Sequence, residues 1–529
     1  PEGGGGSGGD AGTVPLTFVD KAEALGLPPL GSECLGFEDF DGDGKPDVMM
    51  IQQSQIGREN LNVYLNTGNG FFHVVTSAQK LPGGGPTVVC AVGDLDADGL
   101  PDVVLSVETY PAVYVLHNTG GGNLEPEAQF KLPAGNAGPL ALADFDNDGW
   151  LDLAVGTYQN PPRASESSCA PTAQGFACTV PSQRCGPPPY LLLNDGKGAL
   201  GSPTPVVDPS SCGPDNVDVI AVTDYDADGR PDFFVANDWG VDAFYVQGPP
   251  NAAGLTFTDI AGSIGLKGFN SGMGAAFADF DLDGITDLVV SDLGSSQFYL
   301  GQAGGGFVSH AVDWGVATAT TYTSEWAALA DDFDSDGFTD IWAVNSAEVH
   351  NYTDLTTVSV GAGTGVALAP SENSDFLFQN VAGHAFKLLL MPQTAQASPT
   401  ATWGASATAD FDGDGRLDVA ELVGYPTRVQ LMHNEGPHAH WLEVRLRGHA
   451  SNRDGIGARV TVQQAGRPDV TKLLERARGS VGQSWPVAHF GLGAQPAVDA
   501  VNVVWPSGIK QTVTAPAADQ IVSVEEPTQ

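Results

Sequence analysis

The sequence predicts an all-β protein, a seven-bladed β-propeller followed by a small C-terminal β domain. Three observations predict this fold class. One acidic segment of nine residues occurs seven times. Short apolar runs rich in β-branched and aromatic residues flank the copies, and glycine-rich turns separate these runs, which is typical of strands. A repeat built from four short strands is typical of one propeller blade.

The acidic segment has the form D-x-D-x-D-G-x-x-D, and its first copy is residues 39–47. Every copy has acids at positions one, three, five and nine, glycine at position six, and an aromatic residue or leucine at position two. We number the copies loops 1 to 7 in chain order. They begin at Asp39, Asp94, Asp144, Asp224, Asp279, Asp332 and Asp410.

The acids of one loop point to a cation. Four carboxylates about 5 Å apart repel by roughly 3 kcal/mol per pair at an effective dielectric near 20, so the loop must hold a cation or protons. A hard ion with six to eight oxygen ligands suits four carboxylates and one backbone carbonyl. Magnesium needs stricter geometry, and no copy contains the His or Cys that zinc and copper prefer. We therefore expect Ca²⁺, about one per blade and up to seven.

The predicted ligands are the carboxylates at positions one, three, five and nine and the backbone carbonyl at position seven. The glycine at position six allows the sharp turn of the loop. The full set is Asp39, Asp41, Asp43, Lys45 and Asp47; Asp94, Asp96, Asp98, Leu100 and Asp102; Asp144, Asp146, Asp148, Trp150 and Asp152; Asp224, Asp226, Asp228, Arg230 and Asp232; Asp279, Asp281, Asp283, Ile285 and Asp287; Asp332, Asp334, Asp336, Phe338 and Asp340; Asp410, Asp412, Asp414, Arg416 and Asp418.

Two other interpretations of the loops were weighed. An EF-hand has the same opening, but it needs a glutamate at position twelve, which only the last copy has as Glu421, and it needs flanking helices. The flanks here have the composition of strands. An acidic surface turn without any ion is the second alternative.

The repeat pattern predicts how the ring closes. The segment Phe18-Val19-Asp20 near the start of the chain resembles Phe257-Thr258-Asp259 much further along it, and full repeats contain such an F-x-D strand. The seventh repeat stops after Gly436 without such a segment. We therefore expect the N-terminal strand to complete the last blade, which removes an open sheet edge.

The chain divides into three regions. Residues 1–13 form a flexible, glycine-rich tether, residues 14–437 form the propeller with insertions near 158–212 and 346–402, and residues 438–529 form the second β domain. Insertions in repeat proteins often form the binding face, and structural clamps are the alternative here. The tether is interpreted as the remnant of a cleaved targeting segment, with a lipid anchor or an engineered linker as alternatives.

Composition excludes several partner classes. The formal net charge is −42, which argues against nucleic acid and anionic membrane surfaces. No run of eighteen apolar residues is present, so no transmembrane segment is expected.

The six cysteines suggest an oxidising compartment. Cys169, Cys178, Cys185 and Cys212 lie in the first insertion and suggest two disulfides, although a four-thiolate zinc site is the alternative. Cys34 and Cys90 hold equivalent places in neighbouring repeats. They either bridge the two repeats or are two buried thiols.

The loops, together with the N-x-G segments that follow them, resemble FG-GAP (VCBS-type) repeats. The C-terminal region contains the motifs 440–442 (HWL), 451–460 (SNRDGIGARV), 489–493 (HFGLG) and 504–508 (VWPSG). With these motifs it resembles the ASPIC/UnbV domain of cartilage-acidic-protein-like secreted proteins, and Cys185-Gly186-Pro187 resembles a further element of that family. Residues 479–484 match the family's turn only loosely. The resemblance implies a seven-bladed FG-GAP β-propeller with calcium in blade loops, in a secreted or surface-attached protein.

No sequence motif supports a nucleophile paired with a base, so the protein is not expected to be an enzyme. His438 and His440 would share a face of a strand and are a weak candidate for a transition-metal site. Asp454 is a candidate carboxylate site or a turn residue. We expect an extracellular or cell-surface protein that binds a protein or glycan partner. The alternative is a structural surface protein that self-assembles through contacts between propeller and C-terminal domain.

Overall fold

The computed structural model describes most of the chain, and every structural statement below concerns that part. Residues 1–15, Cys185 and Cys212 lie outside it, together with the predictions made for them. The described residues are 16–28, 32–52, 60–68, 70–80, 88–107, 110–158, 168–172, 175–179, 186–211, 213–214, 216–238, 240–252, 254–266, 269–270, 272–292, 295–320, 323–346, 358–359, 367–368, 374–392, 404–423, 428–476 and 482–528.

The described residues form antiparallel sheets in a blade-like series, and each acidic loop connects the first and second strands of one sheet. We number the sheets after their loops. The strands, in order of pairing, are Ser32–Glu38, Asp47–Gln52, Asn60–Asn66 and Phe72–Lys80 in sheet 1; Val88–Gly93, Asp102–Val107, Ala112–Asn118 and Leu124–Lys131 in sheet 2; Asn136–Ala143, Asp152–Tyr158, Tyr190–Leu192 and Thr204–Pro205 in sheet 3; Val217–Thr223, Asp232–Asn237, Ala243–Asn251 and Gly254–Asp259 in sheet 4; Gly272–Ala278, Asp287–Asp292, Gln297–Gly301 and Phe307–Ser309 in sheet 5; Ser324–Asp331, Asp340–Ser346, Ser374–Asn380 and Phe386–Pro392 in sheet 6; Ser406–Ala409, Asp418–Val423, Arg428–Asn434 and Phe18–Asp20 in sheet 7.

The sheets close into a ring through their first strands. Each first strand contacts the first strand of the next sheet, and the first strand of sheet 7 contacts that of sheet 1. The N-terminal strand Phe18–Asp20 pairs with residues 432–434 and becomes the outer strand of sheet 7. The predicted all-β propeller fold and the predicted closure by the N-terminal strand are both confirmed.

Side chains at loop position two are buried between neighbouring sheets. Phe40, Phe145, Phe280 and Phe333 are at most 1% exposed, and each packs between its own sheet and the next one. Burial of a phenylalanine contributes about 1.5–3 kcal/mol. The aromatic residue of the sequence pattern is therefore a core residue rather than a ligand.

A repeated side-chain amide joins six of the seven loops to the next sheet. Asn118 ends the third strand of sheet 2, and its Nδ2 donates to the carbonyl of Phe40 in loop 1 at 3.0 Å. The same bond is made by Asn194 to Leu95 at 2.9 Å and by Asn434 to Phe333 at 2.8 Å. Asn66, Gln247 and Asn380 repeat it in sheets 1, 4 and 6. The asparagine of the N-x-G pattern thus fastens neighbouring blades.

Sheet 5 lacks this amide because Gly301 holds the equivalent position. Position two of the preceding loop is Tyr225 there, and its hydroxyl accepts a hydrogen bond from the backbone N–H of Gly306. A longer side chain on one sheet therefore replaces the missing side chain on the other.

The C-terminal domain consists of two sheets and is continuous with the propeller core. A three-stranded sheet and a four-stranded sheet enclose Leu442, Phe490 and Trp505, which share one apolar cluster with Leu142 and Leu153 of sheet 3. The strands, in order of pairing, are Ala488–Gly493, His440–Arg447 and Gln520–Glu525 in the first sheet, and Val470–Leu473, Arg459–Gln463, Ala500–Val504 and Lys510–Thr514 in the second.

The remaining described elements are short. The helices are the 3₁₀ turn Glu23–Leu25 and the α-helix Val316–Thr320. No helix in the described ranges combines the length and the apolar character that crossing a bilayer requires. Two-stranded pairs are Ser168–Thr172 with Gly175–Thr179, Gly240–Val241 with Phe269–Asn270, and Val358–Ser359 with Ala367–Leu368.

The insertions and cysteines differ in detail from the sequence prediction. Sheet 6 takes Ser374–Asn380 and Phe386–Pro392 from within the span 346–402, so this span is two shorter segments around two blade strands. The sequence signal that could have identified these two strands was the N-V-A-G segment after Gln379. Cys34 and Cys90 form a disulfide between sheets 1 and 2 with a Cα–Cα distance of 5.8 Å, which settles the open alternative. Cys169 and Cys178 are backbone partners in the register of their strand pair.

We predict that Asn118→Ala lowers the melting temperature. The substitution removes the bond to loop 1, so that the carbonyl of Phe40 keeps only the N–H of Gly122 at 3.1 Å, at a cost of about 0.5–1.5 kcal/mol. Thermal unfolding with Asn123→Ala as the control measures this, because Asn123 is exposed and lies in the same turn. Equal melting temperatures for the two variants would contradict the role of the amide.

Candidate metal centre

All seven loops have one backbone conformation. The carboxylate at position one accepts the N–H of the position-six glycine, at 2.8 Å from Gly44 and 2.7 Å from Gly415. The carboxylate at position five accepts the N–H of position seven, as in the 2.8 Å bond from Leu100. These bonds close the loop on itself and turn the carboxylates towards one another. The remaining bonds from position six to position one involve Gly99, Gly149, Gly229, Gly284 and Gly337.

Two positions of each loop have positive φ, and the sequence argument found only one of them. Gly44 at position six has φ 88°, as expected. Position four is also left-handed, with φ 57° at Ala97 and Leu282 and 56° at Ser335. A residue with a Cβ costs about 1–2 kcal/mol in this conformation. Five of the seven loops have a residue other than glycine at position four and therefore carry this strain. Such retained strain is typical of functional sites.

Position nine holds the loop against its sheet. In loop 1, Asp47 accepts the N–H of Phe40 at 2.9 Å through Oδ2 and the N–H of Asn66 at 2.7 Å through Oδ1. The same pair of bonds occurs in the other loops, for example at Asp152. Position nine is therefore a structural anchor as well as a predicted ligand, since each carboxylate oxygen has two lone pairs.

The donor set fits a hard cation. Carboxylate oxygens of Asp39, Asp41 and Asp43 lie within 4.8 Å of one another, and Asp144, Asp146 and Asp152 form a similar group. Oδ1 of Asp39 is buried and has no hydrogen-bond partner among the described residues, and the same holds for Oδ1 of Asp94 and of Asp224. A buried oxygen without a donor is costly unless a cation occupies it. The residues present thus suit Ca²⁺, which binds oxygen ligands of this kind.

Burial makes these carboxyl groups hard to ionise without a cation. It raises the pKa of Asp47, Asp152 and Asp287 from 3.8 to about 8. It also raises the pKa of Asp144 and Asp410 to about 7. Neighbouring carboxylates add to the effect, and backbone hydrogen bonds oppose it. Protons and a metal ion therefore compete for the same oxygens.

The structure brings a histidine to two loops, which the sequence argument missed. His117 precedes Asn118, and its Nδ1 lies 3.0 Å from Oδ1 of Asp102. His433 precedes Asn434, and its Nε2 lies 3.1 Å from Oδ2 of Asp412. The sequence signal was the dipeptide His-Asn at the end of two third strands. The argument from loop composition overlooked it because the histidines lie fifteen or more residues beyond the loop carboxylates they contact.

The C-terminal domain covers the face of the propeller that carries the loops. Arg445 donates to the carbonyl of Gly44 at 2.8 Å, and Arg459 contacts Asp224 through its carbonyl at 2.6 Å and Oδ2 at 3.2 Å. Nε of Arg453 lies 3.3 Å from Oδ2 of Asp94. Further contacts reach loop 6 from Arg467 and loop 7 from His489. Cationic side chains of one domain thus face the acidic loops of the other.

One segment of the C-terminal domain joins the inner strands of the propeller. Residues 482–483 pair in parallel with residues 35–36 of sheet 1. The N–H of Trp485 donates to the carbonyl of Thr408 in sheet 7 at 3.0 Å. The loosely matching segment 479–484 of the sequence is therefore, in its described part, an interdomain contact.

Arg476 is the most buried charge of this interface. Its side chain is 1% exposed and pairs with Glu38 at the end of a first strand and with Asp454 at 2.5 Å. Asp454 is thus an ion-pair partner rather than a separate site. His440 pairs with Asp519 at 2.8 Å, and a ring nitrogen of His438 lies 2.6 Å from Nη1 of Arg416, so these histidines do not converge on one ion.

Two family models match parts of this chain. Residues 448–529 match the model of the ASPIC and UnbV family, and residues 39–105, 94–155 and 224–290 match the FG-GAP-like repeat. Cartilage acidic protein 1 of Mus musculus is 28% identical over 52% of this chain and 40% of its own length, and that of Homo sapiens is 28% identical over 48% and 36%. The chain thus spans less than half of each relative. A lectin of Agrocybe aegerita that recognises non-reducing terminal N-acetylglucosamine has a TM-score of 0.44 at 17% identity, over 70% of this chain and 83% of the lectin.

We predict that Arg476→Ala weakens docking of the C-terminal domain. The substitution leaves Glu38 and Asp454 without their buried cation, which costs about 3–5 kcal/mol. Limited proteolysis between the domains measures docking, and Arg447→Ala is the control because this arginine is exposed on the same domain. Identical cleavage rates for the two variants would refute the role of the ion pair.

We predict that the metal-free protein loses stability as pH rises. The carboxyls with raised pKa keep their protons in the folded state, whereas the unfolded chain releases them near pH 4. The free energy of unfolding is then largest below about pH 4 and declines as pH rises to about 8. Saturating Ca²⁺ should flatten this dependence. Thermal unfolding across this range with and without Ca²⁺ is the measurement, and parallel curves would contradict it.

Proposed function

We propose that this chain, which carries FG-GAP-like repeats and an ASPIC and UnbV domain and is homologous to cartilage acidic protein 1, is a non-enzymatic, calcium-stabilised binding protein of the extracellular space or cell surface. The observation that carries the proposal is the set of buried loop carboxylate oxygens without hydrogen-bond partners, at Asp39, Asp94 and Asp224. Cations at these oxygens stabilise the loops. The loops in turn hold the sheets and the C-terminal domain in place.

The disulfide supports the extracellular location. Cys34 and Cys90 lie on the first strands of neighbouring sheets and are fully buried. Such bonds persist in oxidising compartments and are rare in the cytosol. The net charge of −42 is compatible with a medium rich in divalent cations.

The partner surface is proposed on the face opposite the loops. The acidic loops join first to second strands, so connections from second to third strands lie at the other end of each antiparallel sheet. The two insertions leave the ring between Tyr158 and Tyr190 and between Ser346 and Ser374, which are connections of this second kind. Loops that a rigid scaffold positions are common binding elements, and a protein or glycan is the proposed partner.

Self-assembly is the weaker alternative. Head-to-tail association needs the C-terminal domain of one copy to contact the propeller of another. Here that domain already contacts the loop face of its own propeller through Arg445, Arg459 and Arg476. The intramolecular contact favours the binding function.

We predict that chelation lowers the melting temperature by about 10 °C or more, since each site contributes about 1.4 kcal/mol at ten times its dissociation constant. Asp41→Ala should remove part of this effect, and Asp195→Ala, an exposed acid outside the loops, should remove none. An unchanged melting curve in chelator would refute calcium stabilisation.

The protein prepared with and without chelator for the melting measurements also tests the binding role. Arrays of purified matrix proteins and glycans are probed with the intact chain and with a variant in which residues 159–185 and 347–373 are each replaced by a short Gly-Ser turn. The proposal expects calcium-dependent signals that the variant loses while it keeps its calcium-dependent melting. Sedimentation that shows concentration-dependent oligomers, together with silent arrays, would favour self-assembly instead.

A further inference from the structure

His117 and His433 hold the same structural position in sheets 2 and 7. Each is the residue before the asparagine that ends the third strand, and each side chain faces the acidic loop of its own sheet. Nδ1 of His117 lies 3.0 Å from Asp102 and 3.5 Å from Asp96. Nε2 of His433 lies 3.1 Å from Asp412 and 3.8 Å from Asp414. Two of the seven loops therefore have a nitrogen donor beside their carboxylates.

The other sheets offer no nitrogen ligand at this position. Sheets 1, 3 and 5 carry leucine, sheet 4 carries valine, and sheet 6 carries Gln379, whose amide donates to Asp334. Leucine is thus a residue that the blade accepts here without loss of fold. The aliphatic residues at the equivalent positions are Leu65, Leu193, Val246 and Leu300.

The donor atoms have the separations of a coordination shell. His117, Asp96 and Asp102 each offer one ligand atom within 4.8 Å of the others, and so do His433, Asp412 and Asp414. Two ligand atoms that each lie about 2.1 Å from a zinc ion are about 3.0 Å apart at a right angle and about 3.4 Å apart at the tetrahedral angle. The distances of 3.0, 3.1 and 3.5 Å agree with this geometry. The 3.8 Å between His433 and Oδ2 of Asp414, an oxygen that also pairs with Arg416, requires a wider angle at the ion.

Unsatisfied oxygens in both loops point to a ligand. Oδ1 of Asp94, a side chain that is 3% exposed, is buried and accepts no hydrogen bond among the described residues. In loop 7 the same is true of Oδ1 of Asp412. These oxygens lie in the loops that the two histidines face, and they suit a cation.

We propose that loops 2 and 7 bind a divalent transition-metal ion of the zinc class, held by His117 with Asp96 and Asp102 and by His433 with Asp412 and Asp414. The chemical basis is ligand preference. Imidazole nitrogen suits zinc and related ions, whereas Ca²⁺ takes oxygen ligands, so the same loop without histidine stays a calcium site. The inference rests on the proposal that the acidic loops hold cations, and it divides them into two classes.

The test counts tight transition-metal sites in the full chain. Metal-stripped protein is dialysed against Zn²⁺ in the presence of saturating Ca²⁺, and bound metal is measured by mass spectrometry. Co²⁺ replaces Zn²⁺ in a parallel titration because its visible absorption reports nitrogen ligation. We expect two tight sites in the natural chain, one in His117→Leu, one in His433→Leu and none in the double variant, with affinity at each altered loop reduced about tenfold or more.

Two further variants make the test specific. Leu65→His places the same donor beside loop 1 and should add a third site. His310→Leu is the control, because this partly exposed histidine lies 3.5 Å from Asp313 and outside the loops. It should leave the count at two.

The outcomes separate this inference from the proposed function. Tight Zn²⁺ sites that persist in the double variant, or a natural chain that binds no Zn²⁺ in excess Ca²⁺, would overturn it, and the two histidines would then be hydrogen-bond partners of the loops. Retained calcium-dependent melting in the double variant leaves the proposed function standing in either case. A natural chain whose melting temperature does not depend on calcium would refute the proposed function itself.

Discussion

The hydrogen bond from a side-chain amide to the loop of the preceding sheet is the contact on which the ring depends. Asn118 shows how it works. Its backbone N–H donates to Asp102 of its own loop, and its side chain donates to Phe40 of the previous loop. One residue therefore ties a loop, a third strand and a neighbouring blade together. Asn434 makes the same two bonds in sheet 7, the sheet that receives the N-terminal strand. Any distortion of a loop is thus transmitted to two sheets.

This linkage explains why the acidic loops matter for the whole chain. The loop backbone is strained at position four, and its carboxylates lie close to one another, with the one at position nine buried in every loop. Neither condition is stable without compensation. The compensation has three sources: backbone N–H donors at positions two, six and seven, cationic side chains from the C-terminal domain, and the proposed metal ions. Sheet 5, in which Tyr225 and Gly306 replace the usual amide, shows that the linkage is kept even when the residue changes.

The sequence predicted what depends on local spacing. Acids at fixed offsets identified the loops, and the unmatched segment at residues 18–20 identified the closing strand. Contacts between distant segments were not predictable in this way. His117 and His433 act on loops through the fold of a blade, and Arg453 reaches loop 2 from another domain. The left-handed conformation at Leu282 gave no signal, because leucine rarely adopts it and only the repeated loop geometry imposes it.

The C-terminal domain and the proposed cations do not compete for the same atoms. In loop 1, Arg445 donates to the carbonyl of Gly44 rather than to a carboxylate of the loop. In loops 2 and 4 an arginine does reach a position-one carboxylate, but it contacts Oδ2 of Asp94 and Oδ2 of Asp224. Oδ1 is the buried oxygen without a partner in both residues. Each of these carboxylates therefore has one oxygen for the C-terminal domain and one for a cation.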